Sequence, residues 1–211
     1  MAGRWSSLLL ISLFAVVSAN PNGAPCSQLD TMTPQHRGGV FDRPSPFKID
    51  LSAPCYRDGQ IITVTLRAKA KDGEEKFKGF VVQPRATCED NAGEPKRVGK
   101  FLSNDNADAN WKFQCDDDAT SVTHTWNDLK EKITFDWVPP QDFDGELRFV
   151  GTVVKEYSTF WVQKVVSRPL RKCNTPVPKC ESANQHGFND NDDDADTDAA
   201  QTSDSDGASD S

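Results

Sequence analysis

The sequence has few of the residues and motifs on which catalysis depends. It contains three histidines, and no GxSxG, HExxH or glycine-rich phosphate-binding motif occurs in it. His124 lies within an alternating apolar segment, which favours a hydrogen-bonded residue of a sheet over a general base. His36 belongs to a proline-rich segment and is interpreted as a packing or turn residue, whereas His186 lies at the edge of an acidic tail. The adjacent acids at 116–118 are typical of a solvated turn, so we predict a protein that is not an enzyme and needs no cofactor.

Long hydrophobic runs are also scarce. The chain has one, LLLISLFAVV within residues 7–17, which Arg4 precedes and small residues follow, with a predicted cleavage after Ala19. This pattern predicts a secretory signal peptide over residues 1–19, too short and too early in the chain for a bilayer span. Because no later run approaches the length of a transmembrane helix, we expect a secreted, extracellular protein without a membrane span.

Basic residues are absent from the last part of the chain. The whole sequence has 24 Lys and Arg against 32 Asp and Glu, a net charge of −8. Loss of Arg4 with the signal peptide leaves −9, and nine aspartates with no cation follow from Gly187 onward. Residues 187–211 are therefore predicted to be a disordered acidic tail. Residues 20–186 are neutral overall, which argues against a nucleic-acid partner.

The acidic tail contains no complete calcium-binding loop. The run NDNDDDADTD, residues 189–198, lacks the glycine at its sixth position and the terminal glutamate of an EF-hand. We expect at most a diffuse, weak attraction of Ca²⁺. The aspartates that would supply it are Asp190, Asp192, Asp193, Asp194, Asp196 and Asp198. CxxC pairs and Cys/His clusters are absent, so no structured metal site is predicted.

The six cysteines indicate an oxidising compartment and leave their pairing open. They stand at positions 26, 55, 88, 115, 173 and 180. Six cysteines permit fifteen pairings, among which the sequence does not select. Cys173 and Cys180 flank NTPVPK, whose prolines favour a turn, so a local bridge between them is the simplest arrangement.

Alternation of apolar and polar residues with a period of two is the main pattern that the sequence does contain. In KITFDW, residues 132–137, the side chains of Ile133, Phe135 and Trp137 share one face, which is typical of a half-buried strand. Similar segments follow one another without helical periodicity, separated by turns rich in Asn, Asp and Gly. This predicts an all-β, immunoglobulin-like antiparallel β-sandwich over residues 20–170, with residues 171–186 as a Cys- and Pro-containing extension.

Two sets of side chains carry further expectations. Trp137 is predicted to be buried, and adjacent Phe160 and Trp161 should point to opposite faces, which would leave one of them exposed. Basic residues flank the strands and either form a positive surface for anionic glycolipids or serve solubility. We favour the second interpretation. They are Lys69, Lys71, Lys76, Lys78, Arg85, Lys96, Arg97 and Lys100.

Several spaced blocks of the chain resemble the reeler domain, the module at the N-terminus of reelin and F-spondin. The blocks are PCSQLDTMTPQH, FKGFVVQPR, GKF, Cys115, THTW, FDWVPP and GELRFVGTVV, within roughly residues 24–166. They are closer still to the small secreted reeler-type defence proteins of insects. The resemblance implies a bridge between Cys26 and Cys115, and with the local bridge Cys173–Cys180 it leaves Cys55–Cys88 by exclusion.

The resemblance also implies a function. It suggests a secreted innate-immune protein of the haemolymph that binds microbial surface glycolipids or glycans, or that promotes haemocyte aggregation. An alternative is an extracellular or biomineral matrix protein whose acidic tail attracts Ca²⁺. A third possibility is an accessory domain like that preceding membrane ferric reductases, against which the absence of transmembrane helices and haem ligands counts.

Deleting residues 187–211 should leave the fold intact, because the tail has little apolar surface to bury beyond Phe188 and a few alanines. We expect the melting temperature of the shortened chain to stay within about 2 °C of the full chain. Thermal unfolding followed by circular dichroism checks this. A fall of many degrees would show that the tail docks on the domain.

Overall fold

The computed structural model describes residues 22–36, 38–40, 43–70, 75–88, 96–103, 110–115 and 119–176. Within these ranges the protein is built of β-strands and one short 3₁₀ helix, Cys26–Gln28. The strands are β1 Gly39–Val40, β2 Phe47–Leu51, β3 Ile62–Ala68, β4 Gly79–Ala86, β5 Lys100–Phe101, β6 Trp111–Phe113, β7 Val122–His124, β8 Lys132–Val138, β9 Glu146–Glu156, β10 Thr159–Val166 and β11 Leu170–Arg171.

The strands form two sheets with a shared core between them. The larger sheet has the order β1-β10-β9-β4-β7-β6, and β11 also pairs with β9. The smaller sheet has the order β2-β3-β8-β5. Strand pairing is antiparallel except between β1 and β10. The predicted all-β antiparallel sandwich is confirmed.

The smaller sheet shows how the sequence pattern sets the register. β3 alternates strictly between buried and half-buried residues, and β8 alternates between buried and exposed ones. Paired residues therefore present apolar side chains to the same side, as in Ile62 opposite Trp137 and Val64 opposite Phe135. A slip by one residue would turn every one of these side chains to solvent, so burial alone fixes the pairing.

Trp137 is at the centre of the core. Its exposed fraction is 0%, as predicted, and its ring packs edge-to-face on Phe149 with centroids 5.3 Å apart. The indole Nε1 donates a hydrogen bond to the carbonyl of Val98 at 3.2 Å. Next to that carbonyl, Gly99 has φ +71°, and a side chain there would collide with the indole ring. The tryptophan thus needs a glycine as its neighbour.

The disulfide pairing corrects part of the sequence-based prediction. One bridge joins Cys26 and Cys115, the pair that the resemblance implied, with Cα atoms 5.4 Å apart. The other joins Cys55 and Cys173, with Cα atoms 5.1 Å apart. The predicted pairs Cys55–Cys88 and Cys173–Cys180 are therefore wrong. Cys88 is also disulfide-bonded, and Cys180 lies outside the described residues.

The Cys55–Cys173 bridge follows from the path of the chain after β10. β11 pairs with β9, the amide of Tyr56 donates to the carbonyl of Arg171 at 2.9 Å, and the amide of Cys173 donates to Tyr56 at 2.8 Å. These bonds bring Cys173 beside Cys55 across a sequence separation of 118. Closing a loop of that length stabilises by about 5 kcal/mol in the chain-entropy model. The prediction of a local Cys173–Cys180 bridge rested on the prolines between these two residues, which carry no information on this long-range pairing.

The described residues end at 176, beyond the predicted sandwich boundary at 170. Arg171, the last residue of β11, and Cys173 lie in the stretch predicted as an extension, and both are tied to the sandwich. The predicted signal peptide, residues 1–19, and the acidic tail, residues 187–211, lie outside the described ranges. No helix among the described residues is long and apolar enough to cross a bilayer.

Tyr56 should make stability depend on pH in the alkaline range. Burial raises the pKa of its phenol to about 12, and the charges of Asp144 and Asp58 act in the same direction. An unfolded tyrosine ionises near pH 10. The stability due to the protonated phenol is thus complete below about pH 10 and is lost as the pH rises through about 12.

We expect Tyr56→Phe to remove the stability that the protonated phenol contributes. The phenol donates to the carbonyl of Phe143 at 2.9 Å, so the variant should be less stable by about 1 kcal/mol at pH 8. The difference from the wild type should shrink between about pH 10 and 12, as measured by urea unfolding. Parallel pH profiles for the two proteins would contradict the assignment.

Candidate functional site

The N-terminal segment, residues 22–36, lies on the outer face of the larger sheet. Met32 is buried together with Val81 and Val150, with Ala24 packed beside them. The amide of Ala24 donates to Thr123 Oγ1 at 2.9 Å, and the side chain of Gln114 donates to the carbonyl of Pro25 at 3.0 Å. The outer face of the sheet is therefore covered by chain rather than by solvent.

Arg85 is the main polar fastening of this segment. The residue is 7% exposed, and its guanidinium donates to the backbone carbonyl of Asp30 at 2.7 Å and to the side-chain oxygen of Gln163 at 2.9 Å. Two further bonds reach Gln83 Oε1 at 2.9 and 3.1 Å. Burial lowers the pKa of Arg85 to about 10, and the nearby charge of Arg97 adds to this while Asp30 opposes it. The group stays protonated at neutral pH and keeps all these bonds.

A β-bulge in β10 aims Gln163 at the same segment. The pairing of β10 with β9 shifts register between Trp161 and Val165, and Gln163 has φ +54°. The backbone N–H of Gln163 donates to Thr152 Oγ1 at 2.9 Å, and its side-chain amide donates to the carbonyl of Thr31 at 2.8 Å. Bulges commonly redirect a side chain in this way. Here the bulge supplies a second attachment for the N-terminal segment.

A cavity of about 420 Å³ opens between the N-terminal segment and the sheet. Its walls come from residues 23–25 and 32–36, the start of β4, the end of β7, and β9 with its hairpin to β10. The described lining residues are Gly23, Ala24, Pro25, Met32, Thr33, Pro34, Gln35, His36, Lys78, Gly79, Phe80, Val81, His124, Asn127, Thr152, Val154 and Tyr157. None of them is Asp, Glu, Ser or Cys. The size suits a small ligand or one chain of a larger ligand.

His124 forms part of the cavity wall as a buried residue of the sheet. Its exposed fraction is 8%, and its Nδ1 accepts a hydrogen bond from the amide of Phe80 at 3.2 Å. The ring lies against Gly79, where a Cβ atom would come within 3.0 Å of the imidazole Cε1. The sequence-based interpretation of His124 as a hydrogen-bonded sheet residue agrees with this position.

His36 packs at the other side of the cavity, on the β9–β10 hairpin. Its ring stacks on Tyr157 with centroids 4.8 Å apart, and its Nδ1 lies 3.1 Å from the carbonyl oxygen of Tyr157. It also meets the edge of Phe160. The structure therefore brings together two histidines that the sequence suggested only separately. Their surroundings offer apolar walls and hydrogen bonds, and the described lining residues include no Asp, Glu, Ser or Cys.

The prediction that either Phe160 or Trp161 is exposed is wrong. The two side chains do point to opposite faces, yet their exposed fractions are 2% and 6%. Trp161 enters the core and donates its indole N–H to the carbonyl of Arg43 at 3.0 Å. Phe160 faces outward and is covered by the N-terminal segment through His36. The covering segment is what the strand pattern did not reveal.

Most of the basic residues with described contacts do not form a positive surface. Arg85 is buried, Lys76 pairs with Glu131 at 2.7 Å, and Lys78 pairs with Glu156 at 2.8 Å. Arg97 pairs with the carboxylate of Asp30 at 2.5 Å. These contacts agree with the solubility interpretation. Lys71 lies outside the described residues, as do the aspartates from Asp190 to Asp198, and the described part of the chain holds no cluster of His, Cys, Asp and Glu that could bind a metal ion.

One buried lysine was not singled out by sequence reasoning. Lys130 is 6% exposed, and its ammonium donates to three carbonyls, those of Trp126 at 2.6 Å, Asp128 at 2.8 Å and Lys78 at 3.0 Å. Burial lowers its pKa, although the charge of Asp128 opposes the effect. Lys130 thereby fixes residues 126–129, which we call the rim loop because Asn127 lines the cavity.

Comparisons with known proteins agree with this architecture. The Reeler domain family model matches residues 27–178, and the chain belongs to that family. It is 33% identical over 153 residues to "Putative defense protein 3" of Antheraea mylitta, covering 72% of this chain and 87% of that protein. It is 32% identical over 164 residues to "Defense protein l(2)34Fc" of Drosophila melanogaster, covering 75% and 93%.

Solved structures show the same fold. The Reelin-N domain of F-spondin matches with a TM-score of 0.51 and 19% identity, covering 71% of this chain and 99% of that one. A relative of another kind, "Putative ferric-chelate reductase 1" of Danio rerio, is 31% identical over 156 residues. That match covers 73% of this chain and 26% of the reductase. It therefore relates this chain to one part of a longer protein.

Replacing Arg85 should loosen the cavity wall. Arg85→Met leaves the carbonyl of Asp30 and two glutamine oxygens without their donor, and we expect a loss of about 2–4 kcal/mol in unfolding free energy. Urea unfolding gives the loss, and faster amide hydrogen exchange across residues 24–33 locates it.

Arg97→Met is the matched control. It removes an ion pair to an Asp30 side chain that is 62% exposed, and such pairs contribute about 1 kcal/mol or less. Equal losses in the two variants would contradict a special role for Arg85.

Proposed function

We propose that the protein is a secreted, non-catalytic defence protein that binds microbial surfaces, and that the cavity under the N-terminal segment holds part of the bound molecule. The observation that carries this proposal is the cavity itself, an apolar space whose polar groups include Lys78, His36 and Asn127. Such concave sites with few polar groups are the usual form of ligand pockets. Relatives named as defence proteins, aligned over nearly their whole length, support the biological setting.

Secretion is supported by two independent features. The first residues have the pattern of a signal peptide. The Cys26–Cys115 and Cys55–Cys173 bridges suit an oxidising compartment. The proposed location is therefore extracellular, in the haemolymph.

A non-catalytic role is supported by the chemistry of the cavity. A general base or nucleophile needs a partner that orients it and tunes its proton affinity. The described lining residues include no Asp, Glu, Ser or Cys, the residue types that most often act with a histidine in catalysis. The match to a ferric-chelate reductase covers a minor part of that protein and so does not transfer its activity.

The mode of action has two versions. The protein either coats microbial glycolipids and glycans or promotes haemocyte aggregation, and binding through the cavity serves both. If the protein instead belongs to an extracellular or biomineral matrix, its function lies in the acidic run around Asp190–Asp198, where Ca²⁺ or mineral would bind. These proposals assign binding to different parts of the chain.

Binding by full-length and shortened chains separates the proposals. The domain is neutral and the tail anionic, so deletion of residues 187–211 should leave binding to bacterial cells, lipopolysaccharide and β-glucan unchanged or stronger, most clearly at low salt. Calcium carbonate serves as the second target in the same pull-down. Loss of bacterial binding on deletion, or binding to the mineral alone, would contradict the proposal.

A cavity variant tests the site in the same assay. Val154 is half-buried in the cavity wall, and Val154→Trp should fill part of the space and weaken microbial binding about tenfold or more. Val138→Trp is the matched control, since Val138 is a half-buried valine in the smaller sheet. Equal binding by both variants would exclude the cavity as the site.

A further inference from the structure

The rim loop exposes two large apolar side chains. Trp126 is 58% exposed and Leu129 is 59% exposed. They are the two most exposed large apolar residues of the part of the chain that the structure describes. Singly exposed apolar residues are common, but two in one short loop beside an apolar cavity call for a physical explanation.

Hydrogen bonds hold the backbone that carries these side chains. Lys130 holds the carbonyls of Trp126 and Asp128 with its ammonium. Its own backbone exchanges two hydrogen bonds with Phe77, at 2.8 and 2.9 Å. An ammonium is expensive to bury unless its donors are satisfied, and here three carbonyls satisfy it. The buried ammonium of Lys130 thus fixes a loop whose apolar side chains, Trp126 and Leu129, remain exposed to water.

The loop is continuous with the cavity. Asn127, between the two ends of the loop, is a lining residue, and so is Lys78, whose carbonyl also binds Lys130. The loop that carries the two exposed apolar side chains therefore also contributes Asn127 to the cavity wall. A ligand whose apolar part enters the cavity would arrive from whatever surface the rim loop contacts.

We propose that the rim loop docks on a lipid surface, with Trp126 and Leu129 in its interfacial layer, and that the cavity takes an acyl chain from that surface. Tryptophan suits this role because its ring is apolar while its N–H can bond to the headgroup region. This inference rests on the proposed use of the cavity for binding and narrows the ligand to an amphiphile with an acyl chain.

The charges around the loop indicate how the docking works. The nearby lysines Lys76 and Lys78 are paired with Glu131 and Glu156, and Asp128 adds a negative charge within the loop. Attraction to anionic lipid needs unpaired cations, which these contacts do not provide. Docking through the rim loop therefore depends mainly on apolar insertion, so it extends to zwitterionic lipid and changes little with salt, while exposed Lys112 beside Gly23 of the cavity wall adds one positive charge.

Vesicle flotation tests the docking step. Full-length protein should float with vesicles of phosphatidylcholine and of phosphatidylglycerol, in low and high salt alike. Trp126→Ala and Leu129→Ala should each lower the partition coefficient about tenfold, the effect of removing one buried large apolar side chain. The matched control is Ile61→Ala, since Ile61 is 52% exposed in another part of the fold, and it should float like the wild type.

Tryptophan fluorescence gives a second readout of insertion. Trp111, Trp137 and Trp161 are buried, and Trp5 lies within the predicted signal peptide, so a blue shift on vesicle addition reports Trp126. The shift should disappear in Trp126→Phe. Flotation that is unchanged in Trp126→Ala, or that high salt abolishes, would overturn the proposal.

Titration with a fluorescent fatty acid tests the cavity step. Val154→Trp should weaken its binding about tenfold, whereas Trp126→Ala should retain it, because Trp126 belongs to the docking surface and does not line the cavity. Pull-down on lipopolysaccharide and β-glucan distinguishes a failure of this inference from a failure of the proposed function. A protein that binds β-glucan but neither vesicles nor fatty acid would overturn this inference and leave the proposed function standing.

Discussion

The buried guanidinium of Arg85 is the interaction on which the larger sheet and the N-terminal segment depend jointly. Removing a charge from water is costly, and the cost is met when every donor reaches a good acceptor. All three guanidinium nitrogens of Arg85 donate, to the carbonyl of Asp30 and to the side chains of Gln83 and Gln163. The same bonds hold the segment in the place where it forms a wall of the cavity. The shape of the cavity therefore depends on a structural contact within the fold.

The sandwich was predictable because its strands carry their own signal. β8 alternates between exposed and buried residues along almost its whole length, and its partner β3 matches it residue by residue. The Cys55–Cys173 bridge carries no such signal, since it depends on β11 pairing with β9. The prolines between Cys173 and Cys180 indicate a local turn, and a local turn gives no information on contacts between distant residues.

The cavity was beyond sequence reasoning because no single segment forms it. Its walls come from four separated stretches, and His36 and His124 read as isolated packing residues in the sequence. One signal was present in β4, which is buried on both faces although Gln83 and Arg85 share a face with Val81. A strand with polar residues on a buried face needs a cover that can accept their hydrogen bonds. That pattern pointed to a covering segment without identifying it.

The Cys26–Cys115 bridge has a consequence for how the chain matures. During synthesis Cys26 emerges first and meets Cys55 and Cys88 before its partner at 115 exists. The sheet on which its segment rests is incomplete until β9 and β10 have been made. Bonds formed in order of appearance would be the wrong ones, and disulfide reshuffling is slow without an isomerase. The N-terminal wall of the cavity is thus translated well before Cys115, the cysteine that secures it, and any earlier pair of Cys26 must be exchanged before that wall is complete.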